Sequence, residues 1–193
     1  MTNHQTELAE QLKLGNESAF RQLVDEYEGM VYNTALGIVQ NEDDADDITQ
    51  DVFIQVYQSV ENFRGDSKLS TWLYKITVSK SLDLEKKKKS KKRFGFIQGL
   101  FGGQEEEAAY GVEFNHPGVA LEKKESAGAL FTALKQLPEN QRIAFTLHKL
   151  ENQSYQEVAA IMDTTVTAVE SLMARARTNL KKILENYYKR NGK

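Results

Sequence analysis

Apolar residues recur at spacings of three and four along most of the chain, which is the period of an α-helix that buries one face. The first run follows Asn16 and Ser18, either of which is a suitable helix cap. The runs comprise Phe20, Leu23, Val24, Tyr27, Val31, Ala35 and Ile38, then Ala45, Ile48, Val52, Phe53, Val56, Tyr57 and Val60, then Trp72, Leu73, Ile76 and Leu82. No segment alternates with the period of a strand. The pattern therefore predicts an all-α protein.

A segment of different composition interrupts the helical pattern at 94–120. Its glycines are Gly95, Gly99, Gly102, Gly103, Gly111 and Gly118, and it also carries Pro117 and three acids, Glu105 to Glu107. The helical pattern resumes at Leu121. This arrangement predicts two small helical domains joined by a flexible linker, and a chain of 193 residues is long enough for both.

Charge is distributed unevenly although the net charge is only −3. Seven of the eight residues from Lys86 to Arg93 are basic, and five of the six from Glu42 to Asp47 are acidic. Blocks of opposite sign indicate two differently charged partners. Two solvated helix ends would account for the same charges, and composition alone leaves that alternative open.

The segment from Ser154 to Leu184 has the pattern of a helix-turn-helix. Ser154 and Glu157 match a capping box, and Thr165 is placed to cap a second helix after a turn at 162–164. Projection at about 100° per residue gives that helix two faces. The apolar face holds Val166, Val169, Leu172, Met173, Ala176, Leu180, Ile183 and Leu184. The opposite face holds Thr167, Ser171, Ala174, Arg175, Thr178, Lys181 and Lys182. Its hydroxyls come first and its cations later, as in a DNA-recognition helix, although an ordinary helical hairpin is the alternative.

Several classes of function lack their sequence signature. There is no Cys, and His4, His116 and His148 have no metal-ligand spacing. No nucleophile elbow and no nucleotide-binding loop of the GxxxxGKS/T type occurs. We therefore predict a protein that is not an enzyme and takes no cofactor, metal or small-molecule substrate. The polar N-terminus and the lack of an apolar run of about 18 residues predict a cytoplasmic location.

Several motifs, in this order and spacing, resemble those of extracytoplasmic-function (ECF) sigma factors of the sigma-70 family. They are DDADDITQDVF at 43–53, FRGDS at 63–67, STWLYKI at 70–76 with Asp83, LPENQR at 137–142, SYQEVA at 154–159, and VES at 169–171 with Arg175–Arg177. The resemblance implies a sigma region 2 bundle at 12–93 and a sigma region 4 helix-turn-helix at 121–188. It implies a transcription initiation factor that opens promoters without nucleotide hydrolysis.

The resemblance also implies site residues. Those for the minus-ten element are Phe63, Arg64, Asp66, Ser67, Lys68, Trp72, Lys75, Ser79 and Lys80. Those for the minus-thirty-five element are Thr165, Thr167, Ala168, Ser171, Ala174, Arg175, Thr178 and Lys181. Trp72 corresponds to the family's wedge aromatic, with core packing as its alternative role. Ser79 stands where the family often has Asn, and Glu170 and Leu172 stand where it often has basic residues.

The expected partners are promoter DNA, core RNA polymerase and an anti-sigma factor. The acidic helix would meet the clamp of the largest polymerase subunit through Asp46, Asp47, Gln50, Asp51 and Gln55. The second domain would meet the flap of the other large subunit. A stand-alone helix-turn-helix regulator would account for 121–188 but would leave the acidic helix and the segment from Phe63 to Trp72 without a role. A scaffold that binds only proteins would show no promoter-dependent activity.

Overall fold

The computed structural model describes residues 3–99 and 124–190, and every regular element in these two stretches is helical. The helices are α1 (Asn3–Lys13), α2 (Glu17–Val39), α3 (Glu42–Ser59), α4 (Leu69–Gly99), α5 (Lys124–Lys135), α6 (Glu139–Phe145), α7 (Tyr155–Ile161) and α8 (Val166–Arg190). A 3-10 turn, Val60–Asn62, follows α3, and a π-helical turn, Thr146–Leu150, follows α6. The all-α prediction is confirmed. Of the predicted linker at 94–120, positions 94–99 belong to α4. The rest of it lies outside the described residues.

The N-terminal domain, residues 3–99, is assembled around α2. Helices α3 and α4 pack against α2, and their predicted apolar stripes supply the core. The side chains of Leu23, Val31, Val52, Val56, Leu69 and Leu73 are completely shielded from solvent. Each such burial stabilises the fold by about 1.5–3 kcal/mol before the cost in conformational entropy. Helix α1, which was not among the predicted helices, adds Leu8 and Leu12 to the same core.

Local hydrogen bonds explain where the helices of this domain begin. Of the two candidate caps for α2, Asn16 is the one used, because its side chain accepts hydrogen bonds from the backbone N–H of Ser18 and Ala19. Asn41 caps α3 in the same way by accepting from the N–H of Asp44 at 2.9 Å. Gln40 joins the two helices in the left-handed conformation, with φ of 56°. The chain thus turns from α2 into α3 within three positions, from the last residue of α2 at 39 to the cap of α3 at 41.

One residue of the second apolar stripe lies on the surface. Tyr57 was predicted to line the apolar face of α3, but its side chain is 66% exposed and packs edge-on against Phe20. Ile54, which lies outside the stripe, is 55% exposed on the same helix. Tyr57 is in phase with the buried stripe but lies at its edge, where the described helices leave about two thirds of its side chain exposed.

The C-terminal domain, residues 124–190, folds α5, α6 and α7 around α8. Its core holds the completely buried Ile143, Leu147, Val158, Val169 and Met173. Pro138 precedes α6, where its lack of an N–H costs nothing at the helix start. The chain turns between the π-helical turn and α7 with Asn152 in the left-handed conformation, at φ of 55°.

The two domains pack directly on each other. Ile38, Tyr74 and Val78 of the N-terminal domain belong to the same buried cluster as the C-terminal core. The backbone of Gly37 lies against Thr146, whose hydroxyl donates to the Gly37 carbonyl at 3.3 Å. The described parts of the chain therefore form one continuous packed unit.

Candidate nucleic-acid interface

Helices α7 and α8 and the turn between them form the predicted helix-turn-helix. The Ser154 hydroxyl accepts from the N–H of Glu157 at 3.2 Å, and Glu157 Oε2 accepts from the N–H of Ser154 at 3.0 Å. This reciprocal capping box starts α7. The turn passes through Asp163 in the left-handed region, with φ of 49°. Thr165 then caps α8, because its hydroxyl accepts from the N–H of Ala168 at 3.2 Å.

The faces of α8 lie as predicted. Val169, Met173 and Ala176 are completely buried, and Leu180 is nearly so. The predicted minus-thirty-five set Thr165, Thr167, Ser171, Ala174, Arg175, Thr178 and Lys181 is exposed, and Ala168 is half-buried. Ser171 and Thr178 donate their hydroxyls to the backbone one turn earlier, which leaves their oxygens as acceptors. Arg175 makes no ion pair with any described residue, so its guanidinium is available to a base edge or a phosphate.

The loop before α4 divides its residues between core and surface. The Phe63 side chain is only 5% exposed, and its ring lies 5.1 Å from that of Trp72. The Phe63 ring would have to leave the core to stack on a base. Its position instead supports the Trp72 ring, a role that the motif alone did not indicate. Trp72 is half-buried, with one side on the core and the rest open. Its two alternative roles, core packing and contact with a base, are compatible in this position.

The remaining polar residues of the loop lie at the surface. Arg64 and Asp66 are exposed and their charged groups approach to 3.3 Å. Gly65 turns the loop with φ of 77°, a conformation that side-chain-bearing residues rarely adopt. Ser67 is half-buried and Lys68 is exposed.

Three of the lysines predicted to bind the minus-ten element lie close to carboxylates of this chain. Lys68 Nζ lies 2.8 Å from Glu157 Oε1, and Lys75 Nζ lies 2.6 Å from Asp163 Oδ1. Both acids belong to the helix-turn-helix. The pKa of Glu157 falls to about 2, first because of the Lys68 ammonium and then because of the hydrogen bonds from Ser154. Lys80 approaches Asp51 at 3.8 Å, while Ser79 is exposed.

The basic block at the end of α4 is exposed from Lys86 to Arg93. Lys88 pairs with Asp44 of α3, and Lys89 lies 2.8 Å from Glu139 of α6. Proximity to Glu139 raises the pKa of Lys89 above its usual value. The block and the acidic start of α3 are therefore partly neutralised by each other, which neither interpretation of the charge pattern anticipated.

The acidic face of α3 holds the residues predicted to bind the polymerase clamp. Asp46, Asp47, Gln50 and Asp51 are exposed, and Gln55 is half-buried. Ile54 lies one helical turn from Gln50 and Asp51, so the face has an apolar centre that was not predicted. An isoleucine out of phase with the buried stripe was the available signal. Polar residues around a solvent-exposed apolar side chain are typical of a protein-binding surface.

Two further properties concern other kinds of site. Within 3–99 and 124–190, no group of three or more His, Asp or Glu side chains is arranged to hold a metal ion. Across the same two stretches, no helix has the length and apolar character needed to cross a membrane.

Comparison with known proteins identifies both domains. Residues 23–91 match the family model of sigma-70 region 2, and residues 127–180 match that of sigma-70 region 4. The chain is 32% identical to the ECF RNA polymerase sigma-E factor of Escherichia coli strain K12 over 170 residues, which cover 88% of each protein. It is 29% identical to the RNA polymerase sigma-H factor of Pseudomonas aeruginosa over 189 residues, which cover 93% of each.

Solved structures share the fold. The structure of CnrH in complex with the cytosolic domain of CnrY aligns with a TM-score of 0.68 at 24% identity, covering 94% of this chain and 97% of that one. The sigma factor RpoE of Bartonella quintana, in complex with the anti-sigma factor NepR, aligns with a TM-score of 0.62 at 24% identity, covering 86% of this chain and 96% of that one. With both region models matched in order and the sigma-E relatives aligned over most of their length, the chain belongs to the ECF group of sigma-70 RNA polymerase sigma factors, which are transcription initiation factors.

Proposed function

We propose that this sigma factor brings core RNA polymerase to promoters through two DNA surfaces, one on each domain, and one protein surface on α3. The observation that carries the proposal is the exposed face of α8, where hydroxyls near the helix N-terminus are followed by cations. A stand-alone helix-turn-helix regulator would need only the C-terminal domain. The match of residues 23–91 to sigma-70 region 2 favours the sigma factor.

The C-terminal domain would read the minus-thirty-five element in the major groove. Thr165, Thr167 and Ser171 would face base edges, and the free N–H groups at the start of α8 would meet a phosphate. Arg175 and Lys181 would follow along the groove. Glu170 is exposed beside them and would accept from a cytosine amino group, which would change the sequence preference relative to a basic residue there.

Replacing Arg175 by alanine tests this face. Loss of one bidentate base contact should cost about 1–3 kcal/mol of binding to the minus-thirty-five element, while binding to core polymerase should stay unchanged. Electrophoretic mobility shift and polymerase pull-down would measure the two. Arg21→Ala is the control, since Arg21 is also an exposed arginine and lies on α2, outside the helix-turn-helix. A loss of polymerase binding in Arg175→Ala would contradict the assignment of the α8 face to DNA.

The N-terminal domain would capture the opened minus-ten strand. Stacking of a base on the open side of Trp72 would return about 1–3 kcal/mol, which is of the order needed to extrude one base. Phe63 would hold the Trp72 ring in place from the core. Lys75, Lys80 and the basic block would hold backbone phosphates. Each phosphate held would add about 0.9 to the magnitude of the slope of the logarithm of the binding constant against the logarithm of the salt concentration. Binding energy would thus replace nucleotide hydrolysis as the source of melting.

The acidic face of α3 would bind the clamp of the largest polymerase subunit. Asp46, Asp47, Gln50 and Asp51 would supply charge and hydrogen bonds around Ile54. Replacing both Asp46 and Asp47 by lysine should weaken association with core polymerase without unfolding the domain, because both side chains are exposed. Asp25→Lys, at an exposed position of α2, is the control in the same pull-down and circular-dichroism measurements. Unchanged affinity in the double variant would remove the clamp assignment.

Other parts of the proposal rest on the family. The C-terminal domain would meet the flap of the second large subunit through its apolar flank. Two structural neighbours were solved with an anti-sigma factor or a cytosolic protein domain bound, which supports an inhibitory protein partner for this chain as well. Its place of action would be the cytoplasm, where it would act as an initiation factor and not as an enzyme.

A further inference from the structure

The last part of α4 is more positively charged than any other stretch of eight residues in the chain. Residues 86–93 hold seven cations and no acid. Because the whole chain has a net charge of −3, the rest of it carries −10. All eight side chains of the block are exposed. An anionic partner is therefore attracted to the end of α4, while the rest of the protein has an excess of acids.

The chain itself neutralises only one side of this block. Lys88 pairs with Asp44 of α3, and Lys89 lies 2.8 Å from Glu139 of α6. These contacts mark the side of α4 that faces the body of the protein. They leave the other side of the helix to solvent.

The outward side of the block keeps like charges next to each other. Lys87 and Lys91 are one helical turn apart and point away from the side that holds Lys89. Within 3–99 and 124–190, neither of them nor Arg93 forms an ion pair. Like charges four residues apart weaken a helix, and an anionic partner from outside the chain would remove that cost.

The helix continues from the block into apolar residues. Its last residues, up to Gly99, include Phe94, Phe96 and Ile97. Positions 94 and 97 follow 87 and 91 at steps of three and four, so by helical period they continue the same side of α4. A cluster of lysines on a helix beside aromatic and aliphatic residues is typical of a segment that binds the surface of an anionic membrane.

Duplex DNA would satisfy only the charged half of this segment. Its outer surface presents phosphates and sugars, which exposed lysines can hold, but no apolar layer in which a phenylalanine could be buried. An anionic bilayer offers both chemistries, because its headgroups carry phosphates and its acyl chains lie directly beneath them. The combination of cations and apolar residues favours the bilayer.

We propose that the end of α4, residues 86–97, binds the surface of membranes that contain anionic phospholipids. Lys87, Lys91 and Arg93 contact headgroup phosphates. Phe94 and Ile97 enter the boundary between headgroups and acyl chains. The stretch from 87 to 97 is about 15 Å long, and it lies in the plane of the membrane surface without crossing the bilayer.

Membrane binding gives the factor two competing anionic partners. The basic block is also proposed to hold promoter phosphates, and the same cations cannot serve both partners at once. A membrane-bound molecule therefore has fewer cations available for promoter DNA than a free one. This consequence rests on the proposed function, whereas membrane binding itself does not.

Sedimentation of the full-length protein with lipid vesicles at low ionic strength tests the proposal. Wild-type protein should bind vesicles of equal parts phosphatidylglycerol and phosphatidylcholine and should not bind vesicles of phosphatidylcholine alone. Each cation near an anionic surface strengthens binding about fivefold. Replacing Lys87, Lys91 and Arg93 together by glutamine should therefore weaken binding on the order of a hundredfold.

A matched control variant separates the block from the net charge of the protein. Arg21→Gln, Lys135→Gln, Lys149→Gln removes three exposed cations from three different elements, so it changes the net charge by the same amount. It should keep most of the wild-type binding to anionic vesicles. Circular dichroism would establish that both triple variants keep their helices.

Another variant separates the membrane from DNA. Phe94→Gln, Ile97→Gln keeps every cation and removes two apolar residues, so it should weaken vesicle binding by roughly tenfold or more. Its affinity for a duplex DNA fragment in a mobility-shift assay should equal that of the wild type. Anionic vesicles should also compete with that fragment for the wild-type protein.

Several results would overturn the proposal. The first is a wild-type protein that does not bind anionic vesicles, and the second is an equal loss of binding in the block variant and its matched control. If the block variant loses affinity for duplex DNA but keeps its affinity for vesicles, or if Phe94→Gln, Ile97→Gln binds vesicles like the wild type, the membrane is not the partner of this segment. Vesicle binding is measured without polymerase, so a failure of the proposed function would appear separately, as absence of promoter-dependent transcription.

Discussion

Replacing Glu151 by glutamine should stabilise the folded protein near pH 8 and have little effect near pH 4.5. Glu151 lies where the turn after α6 meets α4, and its Oε2 accepts from the Tyr74 hydroxyl at 3.2 Å. Burial raises the pKa of its carboxyl to about 7, and the hydrogen bond from Tyr74, which acts in the opposite direction, does not cancel this effect. Burial also raises the pKa of Tyr74, which keeps that hydroxyl a donor.

The magnitude follows from the difference between the folded and unfolded states. The carboxyl titrates at about 7 when buried and at 4.5 in its ordinary state, so between these values the folded protein binds more protons than the unfolded chain. Stability is therefore lost as the pH rises from 4.5 to 7. At about 1.4 kcal/mol per pKa unit, the ionised carboxylate costs the folded protein about 3 kcal/mol near pH 8. Glutamine keeps a carbonyl acceptor for Tyr74 and carries no charge, so it should recover most of that energy.

Urea denaturation at several pH values measures the effect. The free energy of unfolding of Glu151→Gln minus that of the wild type should grow from near zero at pH 4.5 to about 3 kcal/mol at pH 8. Titration of Glu157 does not contribute to the change in stability between pH 4.5 and pH 8, because its pKa of about 2 in the folded protein and its ordinary value of 4.5 both lie at or below pH 4.5. Glu28→Gln, at an exposed position of α2, serves as the control.

The result that refutes the reasoning is a difference that does not depend on pH. It would mean that the Glu151 carboxylate is hydrated in solution and that the junction with α4 is open. A wild type equally stable at pH 5 and pH 8, together with a stabilised variant, would point to a packing effect unrelated to charge.

Two further predictions concern other contacts. Arg142→Met should destabilise the protein by about 3 kcal/mol, because it leaves the largely buried Glu85 carboxylate with only the exposed Lys89 ammonium, 3.6 Å away, as a partner. The double variant Arg142→Met, Glu85→Leu should recover most of that loss in urea denaturation, and a double variant as unstable as the single one would contradict this. Ile54→Asp should weaken core-polymerase binding at least tenfold without lowering stability, since the side chain is 55% exposed, whereas Leu14→Asp, at another exposed apolar position, should not alter pull-down. Equal losses in the two variants would exclude a specific role for Ile54.

Much of the local structure could be predicted from residues a few positions apart. The stripes of α2, α3 and α4 and the two faces of α8 follow from helical period alone. The Asn16 cap, the capping box of Ser154 with Glu157, and the Thr165 cap depend on side chains that bond to the backbone within three positions. Helix α1 was within reach of the same reasoning, since Leu8 and Leu12 are one turn apart, but two apolar residues among polar ones are a weak signal.

Assignments that depend on burial were less predictable. Phe63 was expected at the DNA surface and lies in the core, while Tyr57 was expected in the apolar stripe and lies in solvent. Period gives the direction in which a side chain points relative to its own helix. It does not tell whether another helix covers that direction, because this depends on chain segments that are distant in sequence.

By itself, the sequence determined the helical class, the position of the helix-turn-helix, the face of α8 that meets solvent, and the family. These follow from short-range hydrogen bonding, from helical period and from motifs in a fixed order. Only the tertiary structure decided that Lys68 and Lys75 meet Glu157 and Asp163, nearly ninety positions further along the chain, that Glu151 is desolvated against Tyr74, and that Gly37 must lack a side chain. Such contacts depend on how two domains dock, and docking is a sum of weak interactions over a whole surface that no short stretch of residues encodes.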